Sequence, residues 1–137
     1  MKSEYIPLIK YRLERAHESI EEAELLLNNN HYNTCVNRLY YGCFYAVSGL
    51  LLIENKSSSK HSGIRAFFDQ HWIKPGRISI EMGRIYKRLF EKRQQGDYGE
   101  LVHLNENEVK KLMDEAKLFI KEISTTIQSE LDNHSHS

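Results

Sequence analysis

Three short stretches of this chain hold residues whose types and spacing suit chemistry. In Glu91-Lys92-Arg93-Gln94-Gln95-Gly96-Asp97-Tyr98-Gly99, a cation, a carboxylate and a phenol fall together, the last two in a loop flanked by glycines. An arginine at a helix end can hold a phosphate and stabilise the charge that builds on it during transfer. Asp97 can accept a proton, whereas a tyrosine near pKa 10 is a poor base at neutral pH. The same residues also read as a structural knot, with Asp97 pairing to Arg93 or Arg38 and Tyr98 packing on the helices. Lys60-His61-Ser62-Gly63 places a cation, an imidazole and a hydroxyl at a helix start, which suits an anion and equally a plain N-cap. Asn37 and Arg38 precede an aromatic, apolar run, and an arginine buried there needs a partner. Glu91, Asp97 or a carboxylate of the first helix would serve, or a phosphate.

The elements that must position these groups are helices. From His31 to Asn55, Val36, Leu39, Tyr40, Cys43, Phe44, Val47, Leu50 and Leu51 recur at steps of three and four, with Arg38 and Glu54 the only Lys, Arg, Asp or Glu. That predicts a central helix. Its tyrosines Tyr40, Tyr41 and Tyr45 read more readily as core than as pocket lining. Ahead of it, Ile9, Leu13, Ala16, Ile20, Ala23 and Leu27 mark a first helix that starts near Ser3, carries Pro7 in its first turn and ends at Asn28-Asn29-Asn30. A short helix from about Lys60 to His71 buries Ile64, Phe67 and Phe68, with Trp72 and Ile73 closing the core. Ile78, Met82, Ile85 and Leu89 mark a fourth helix whose other face carries Arg84, Lys87, Arg88 and Lys92, ending near Gln95. Asn105 with Glu108 forms a capping box for the last helix, whose stripe is Val109, Leu112, Ala116, Phe119, Ile123 and Ile127. The expected architecture is one all-α domain over residues 1–130, an up-and-down antiparallel bundle of about five helices, with a disordered tail over 131–137.

Composition narrows the function. The 137 residues are enough for one buried core, and two prolines and seven glycines leave long uninterrupted segments. The N-terminus lacks the apolar run of a signal peptide, and the central helix is too interrupted by polar residues to span a membrane. Cys35 and Cys43 lie eight residues apart, about 12 Å along a helix, so they read as free thiols of a reducing, cytoplasmic compartment. There is no Gly-rich phosphate loop, HExxH or CxxC pair, and no metal-ligand spacing, so no metal and no cofactor are expected. Net charge is zero but segregated: residues 56–93 carry ten Lys/Arg against three Asp/Glu, a block of +7 between acidic segments. Such a block suits phosphates or RNA, or pairs with the acidic helices or another subunit.

Taken together, NRLYYGCFYAVSGLL, KHSGIRAFF and LFEKRQQGDYGE resemble the HEPN domain family of small prokaryotic proteins, over nearly the whole chain from about Glu4 to Ile127. The resemblance implies a helical bundle that forms a homodimer, is often encoded beside a minimal nucleotidyltransferase as a toxin–antitoxin pair, and in many members is a metal-independent endoribonuclease. In those members an arginine holds the scissile phosphate and a histidine shortly after it helps activate the ribose 2′-OH. Arg93 matches the arginine; after four intervening residues Tyr98 stands where the histidine is expected, and His103 comes only after nine. The candidate catalytic group is then Arg93, from the motif, with Asp97 as a substitute base and Tyr98, from the residues themselves. Tyr98 is also a candidate target for AMP attachment by the partner enzyme, and Arg38, Lys60, His61 and Arg88, read from the residues, are candidate RNA or nucleotide contacts. A non-catalytic adaptor that binds nucleotide or the nucleotidyltransferase is the alternative.

Overall fold

A central helix with almost no charge must be covered over most of its surface, and the other helices do this, leaving Tyr41 and Tyr45 half-buried along one edge. A computed structural model of the chain describes residues 2–97 and 104–135, the side chains of Gly96 and Asp97 excepted. A single 3-10 turn, Ser3–Tyr5, leads into α1 (Ile6–Asn28), with Pro7 in its first turn where a missing N–H costs nothing. α2 (Tyr32–Leu52) follows, then α3 (His61–Phe68), α4 (Ile80–Asp97) and α5 (Glu106–Ser135). The fold is an all-α antiparallel bundle. α2 packs most extensively on α1, then on α5 and α4, and thirteen of its residues are buried, from Cys35 to Leu52.

Close approach of α1 to α2 depends on Gly42. A Cβ there would stand 3.3 Å from the carbonyl oxygen of Ala16 and 3.2 Å from the Ile120 side chain, so a larger residue would push both helices away. The helix ends are set by asparagine. Asn30 adopts a left-handed φ of 62°, its N–H donates to the Leu27 carbonyl at 3.0 Å, and the His31 N–H donates to the Leu26 carbonyl at 2.9 Å. That paired-bond cap terminates α1 where the sequence places its end. Asn55, φ 58°, repeats it after α2, with the Lys56 N–H donating to Leu51 at 3.0 Å.

Three boundaries differ from the sequence reading, the first being the end of α4, which runs through Gly96 to Asp97 where the sequence predicts a loop after Gln95. The segment after α3 is not more α-helix: Asp69–Ile73 forms a π-helical turn, with the Lys74 N–H donating to the Asp69 carbonyl at 2.8 Å. The wider turn lets Trp72 reach the core, where it is fully buried. The last helix does not stop at 130. It continues to Ser135 because Leu131, one turn after Ile127, extends the apolar stripe and is only 7% exposed, so the disordered tail expected from 131 is corrected over 131–135. Asn105 caps α5 as read: its Oδ1 accepts the Glu108 N–H at 2.8 Å.

An aromatic column links the core to one end of the bundle. Phe119 of α5 stacks on Tyr86 of α4 (5.6 Å between centroids), and Tyr86 stacks on Tyr40 of α2 (5.9 Å, rings within 3° of parallel). Phe68 meets Tyr86 and Phe119 edge-on. Each buried ring contributes about 1.5–3 kcal/mol through area removed from water. Much of the basic middle block pairs locally or with acidic helices. Arg77 lies 3.6 Å over the Trp72 ring and pairs with Glu54 and Glu130; Arg88 pairs with Glu115; Arg65 and Arg84 approach Asp69 and Glu81.

Candidate functional site

The top of the aromatic column is where α2, the start of α3 and the end of α4 meet. Tyr40 is fully buried, and its hydroxyl lies 2.8 Å from Nδ1 of His61, the first residue of α3. Nη1 of Arg93, in the last turns of α4, lies 3.4 Å from the same nitrogen. The imidazole is held by rings as well: it stacks on Phe44 at 4.5 Å and on Tyr40 at 5.6 Å, and meets the edge of Tyr41 at 5.7 Å. The Arg93 guanidinium carbon stands 5.1 Å from the Tyr40 ring centre and 5.3 Å from that of Tyr41, within reach of cation–π attraction.

Electrostatics sets the state of these groups. Burial, and secondarily the Arg93 charge, hold His61 below its usual 6.5, so the ring is neutral at neutral pH. A guanidinium only donates, so the Arg93 contact favours Nδ1 as acceptor and the proton on Nε2. Burial pushes Tyr40 up to about 12, which keeps its hydroxyl protonated. With Nδ1 unprotonated, that hydroxyl donates to it and holds the imidazole in one tautomer. The arrangement supplies a cation beside a neutral imidazole, a pairing suited to phosphate binding and proton transfer.

The other candidates distribute around this centre. Arg38 lies 5.0 Å over the Tyr41 ring, donates to Asn37 Oδ1 (3.1 Å from Nη2) and stands 3.7 Å from Glu22, so a first-helix carboxylate is its partner. Lys60 precedes α3 in extended conformation with an exposed side chain, its N–H accepted by Ser58 Oγ at 3.1 Å. Arg88 turns instead to α5 and pairs with Glu115. Tyr98 and the Asp97 side chain lie outside the described residues. Cys35 and Cys43 are free and buried, and burial raises the Cys35 thiol to about 11, which leaves it unreactive. Among the described residues, no group of three His, Cys, Asp or Glu is placed to hold a metal, and no helix is long and apolar enough to cross a membrane.

A family model for the HEPN domain matches residues 9–126. The chain belongs to the HEPN family. A UPF0332 protein of Thermotoga maritima is 44% identical over 121 residues, covering 88% of this chain and 92% of its own. Two Methanocaldococcus jannaschii proteins, MJ0142 and MJ0605, whose names call them candidate toxins, are each 29% identical over 120 residues, covering 88% of this chain and 82% and 89% of theirs. In this HEPN chain the position after the Arg93 spacer is tyrosine, and the histidine found beside Arg93 comes instead from α3, 32 residues earlier. Reading the sequence singled out His61 only as an anion contact and missed both its pairing with Arg93 and the part of Tyr40. The one signal in the sequence was a helix-opening histidine with no apolar role of its own.

Proposed function

We propose that this HEPN protein is the cytoplasmic toxin component of a toxin–antitoxin pair and cleaves RNA without metal at the Arg93–His61 centre. The observation that carries the reading is the 3.4 Å approach of Arg93 Nη1 to His61 Nδ1, over a buried tyrosine hydroxyl. Arg93 and Arg38 bind the non-bridging oxygens of the scissile phosphate. As the ribose 2′-OH loses its proton, the 2′-O–P bond forms and the P–O5′ bond breaks. The departing 5′ oxygen takes up a proton, and the products are a 2′,3′-cyclic phosphate and a 5′-hydroxyl. His61, held in place by Tyr40, is the proton-transfer group, and Asp97 is the second candidate. The names of the two M. jannaschii relatives support the toxin part of the reading. Its partners are a second copy of the chain and a minimal nucleotidyltransferase, which transfers AMP from ATP to the Tyr98 hydroxyl with release of pyrophosphate.

Purified protein incubated with total RNA or a defined tRNA in the presence of a chelator tests this. Cleavage is expected, and Arg93→Ala and His61→Ala should each lose it by about a hundredfold or more while keeping their helical content. Full cleavage by either variant removes that residue from the mechanism. No cleavage by the wild type moves the function to the non-catalytic adaptor, for which calorimetry should find ATP or nucleotidyltransferase binding without turnover.

A further inference from the structure

We infer that the edge between α1 and α2 beside this centre is a stacking track for single-stranded RNA, with Tyr41 and Tyr45 as its base platforms. The inference rests on the RNA reading above and adds the residues that would set which part of an RNA is presented to Arg93 and His61. Tyr41 and Tyr45 are one helical turn apart on α2, their ring centroids 6.2 Å from each other, and both are half-buried where neighbouring Tyr40 is fully buried. Each ring is flanked by guanidinium: Arg93 at 5.3 Å and Arg38 at 5.0 Å from the Tyr41 centre, and Arg15 of α1 at 5.3 Å from the Tyr45 centre. The row therefore runs from the Arg93–His61 centre and Arg38 through the neighbouring rings of Tyr41 and Tyr45 to Arg15, two aromatic rings bracketed by cations.

Rings bracketed by guanidinium match the two needs of an unpaired strand, phosphate neutralisation and a flat apolar face for a base. Two carboxylates face the row. Glu18 lies 2.7 Å from Arg15 and Glu22 lies 3.7 Å from Arg38, both with side chains 46% exposed, so phosphates must displace these screened contacts. Tyrosine and arginine also mark protein interfaces. What favours RNA is continuity: Tyr41 is shared between the track and the His61 ring cage.

The test is fluorescence anisotropy of a labelled short oligouridylate and of the same length of duplex RNA, with wild type, Tyr45→Leu and Tyr45→Phe, alongside light scattering and circular dichroism. The wild type should prefer the single strand. Tyr45→Leu should weaken that binding about tenfold, with helical content and mass unchanged, and Tyr45→Phe should retain it, because stacking needs the ring and not the hydroxyl. Wild-type binding that Tyr45→Leu leaves intact overturns the track while the RNA reading stands, as does equal loss in both variants. A change of mass in Tyr45→Leu with RNA affinity kept makes the edge a protein interface. No RNA binding by the wild type removes the reading on which the track rests.

Discussion

His61 sits against a guanidinium and three aromatic rings, and both surroundings oppose a charge on its imidazole. Its pKa in the folded chain is below 6.5, whereas in the unfolded chain it is ordinary. The unfolded state therefore binds the His61 proton more readily, and stability falls as pH drops through about 6.5, levelling once pH passes below the folded value. Following the His61 ring proton by NMR should give a midpoint below 6.5, and Arg93→Gln should move it upward by removing the nearby charge. A midpoint unmoved in that variant would show that the two groups are not coupled. Denaturant unfolding between about pH 7.5 and pH 5.5 should show a smaller acid loss in His61→Asn than in the wild type. Arg93 was legible as the family arginine because it stands in a local pattern. Tyr40 was legible only as core, since nothing in its neighbours announces that its hydroxyl ends at an imidazole 21 residues on.

Among the elements, α3 is short and its start has to be delivered accurately. Ser58 does this from the preceding loop, its Oγ accepting the Lys60 N–H. The loop closes over Gly63: a Cβ on that residue would fall 2.9 Å from Ser58 Cβ and closer still to its Oγ. Gly63→Ala should therefore displace the loop, cost about 1–3 kcal/mol of stability and lower RNA cleavage by misplacing His61. Gly63→Ala with Ser58→Gly should relieve the clash and regain part of the stability, read by thermal melts, while the Lys60 N–H loses its Ser58 acceptor. A lone Gly63→Ala as active and stable as wild type would show that the loop has room. The caps at Asn30 and Asn105 were readable because their chemistry is local, one residue type at one helix end. The π-helical turn at Asp69–Ile73 was not, because its wider ring is stabilised by where Trp72 lands in the core rather than by any residue preference.

Across the whole molecule, the basic middle block turns out to be divided between tasks. Arg77, ahead of α4, pairs with Glu54 just after α2 and with Glu130 of α5, and Arg88 of α4 pairs with Glu115 of α5, so opposite charges tie these segments together in a chain of zero net charge. Arg93 reaches the His61 centre. HEPN membership carries the expectation of a homodimer, and exposed apolar side chains on α1 (Leu25, 65%) and α5 (Leu118, 53%) are available to an interface. Light scattering at micromolar concentration should return twice the chain mass; a monomer mass would sink the dimer and any cleft shared between copies.

The sequence by itself determined the all-α class, the five helices and most of their ends, because apolar spacing and capping residues act over a few positions of the chain. It also placed Arg93 in the family pattern. Only the tertiary structure decided that His61 is the imidazole beside that arginine and that Tyr40 orients it. Those three residues belong to three different helices, and no spacing along a chain encodes a meeting produced by the packing of α3 and α4 against α2.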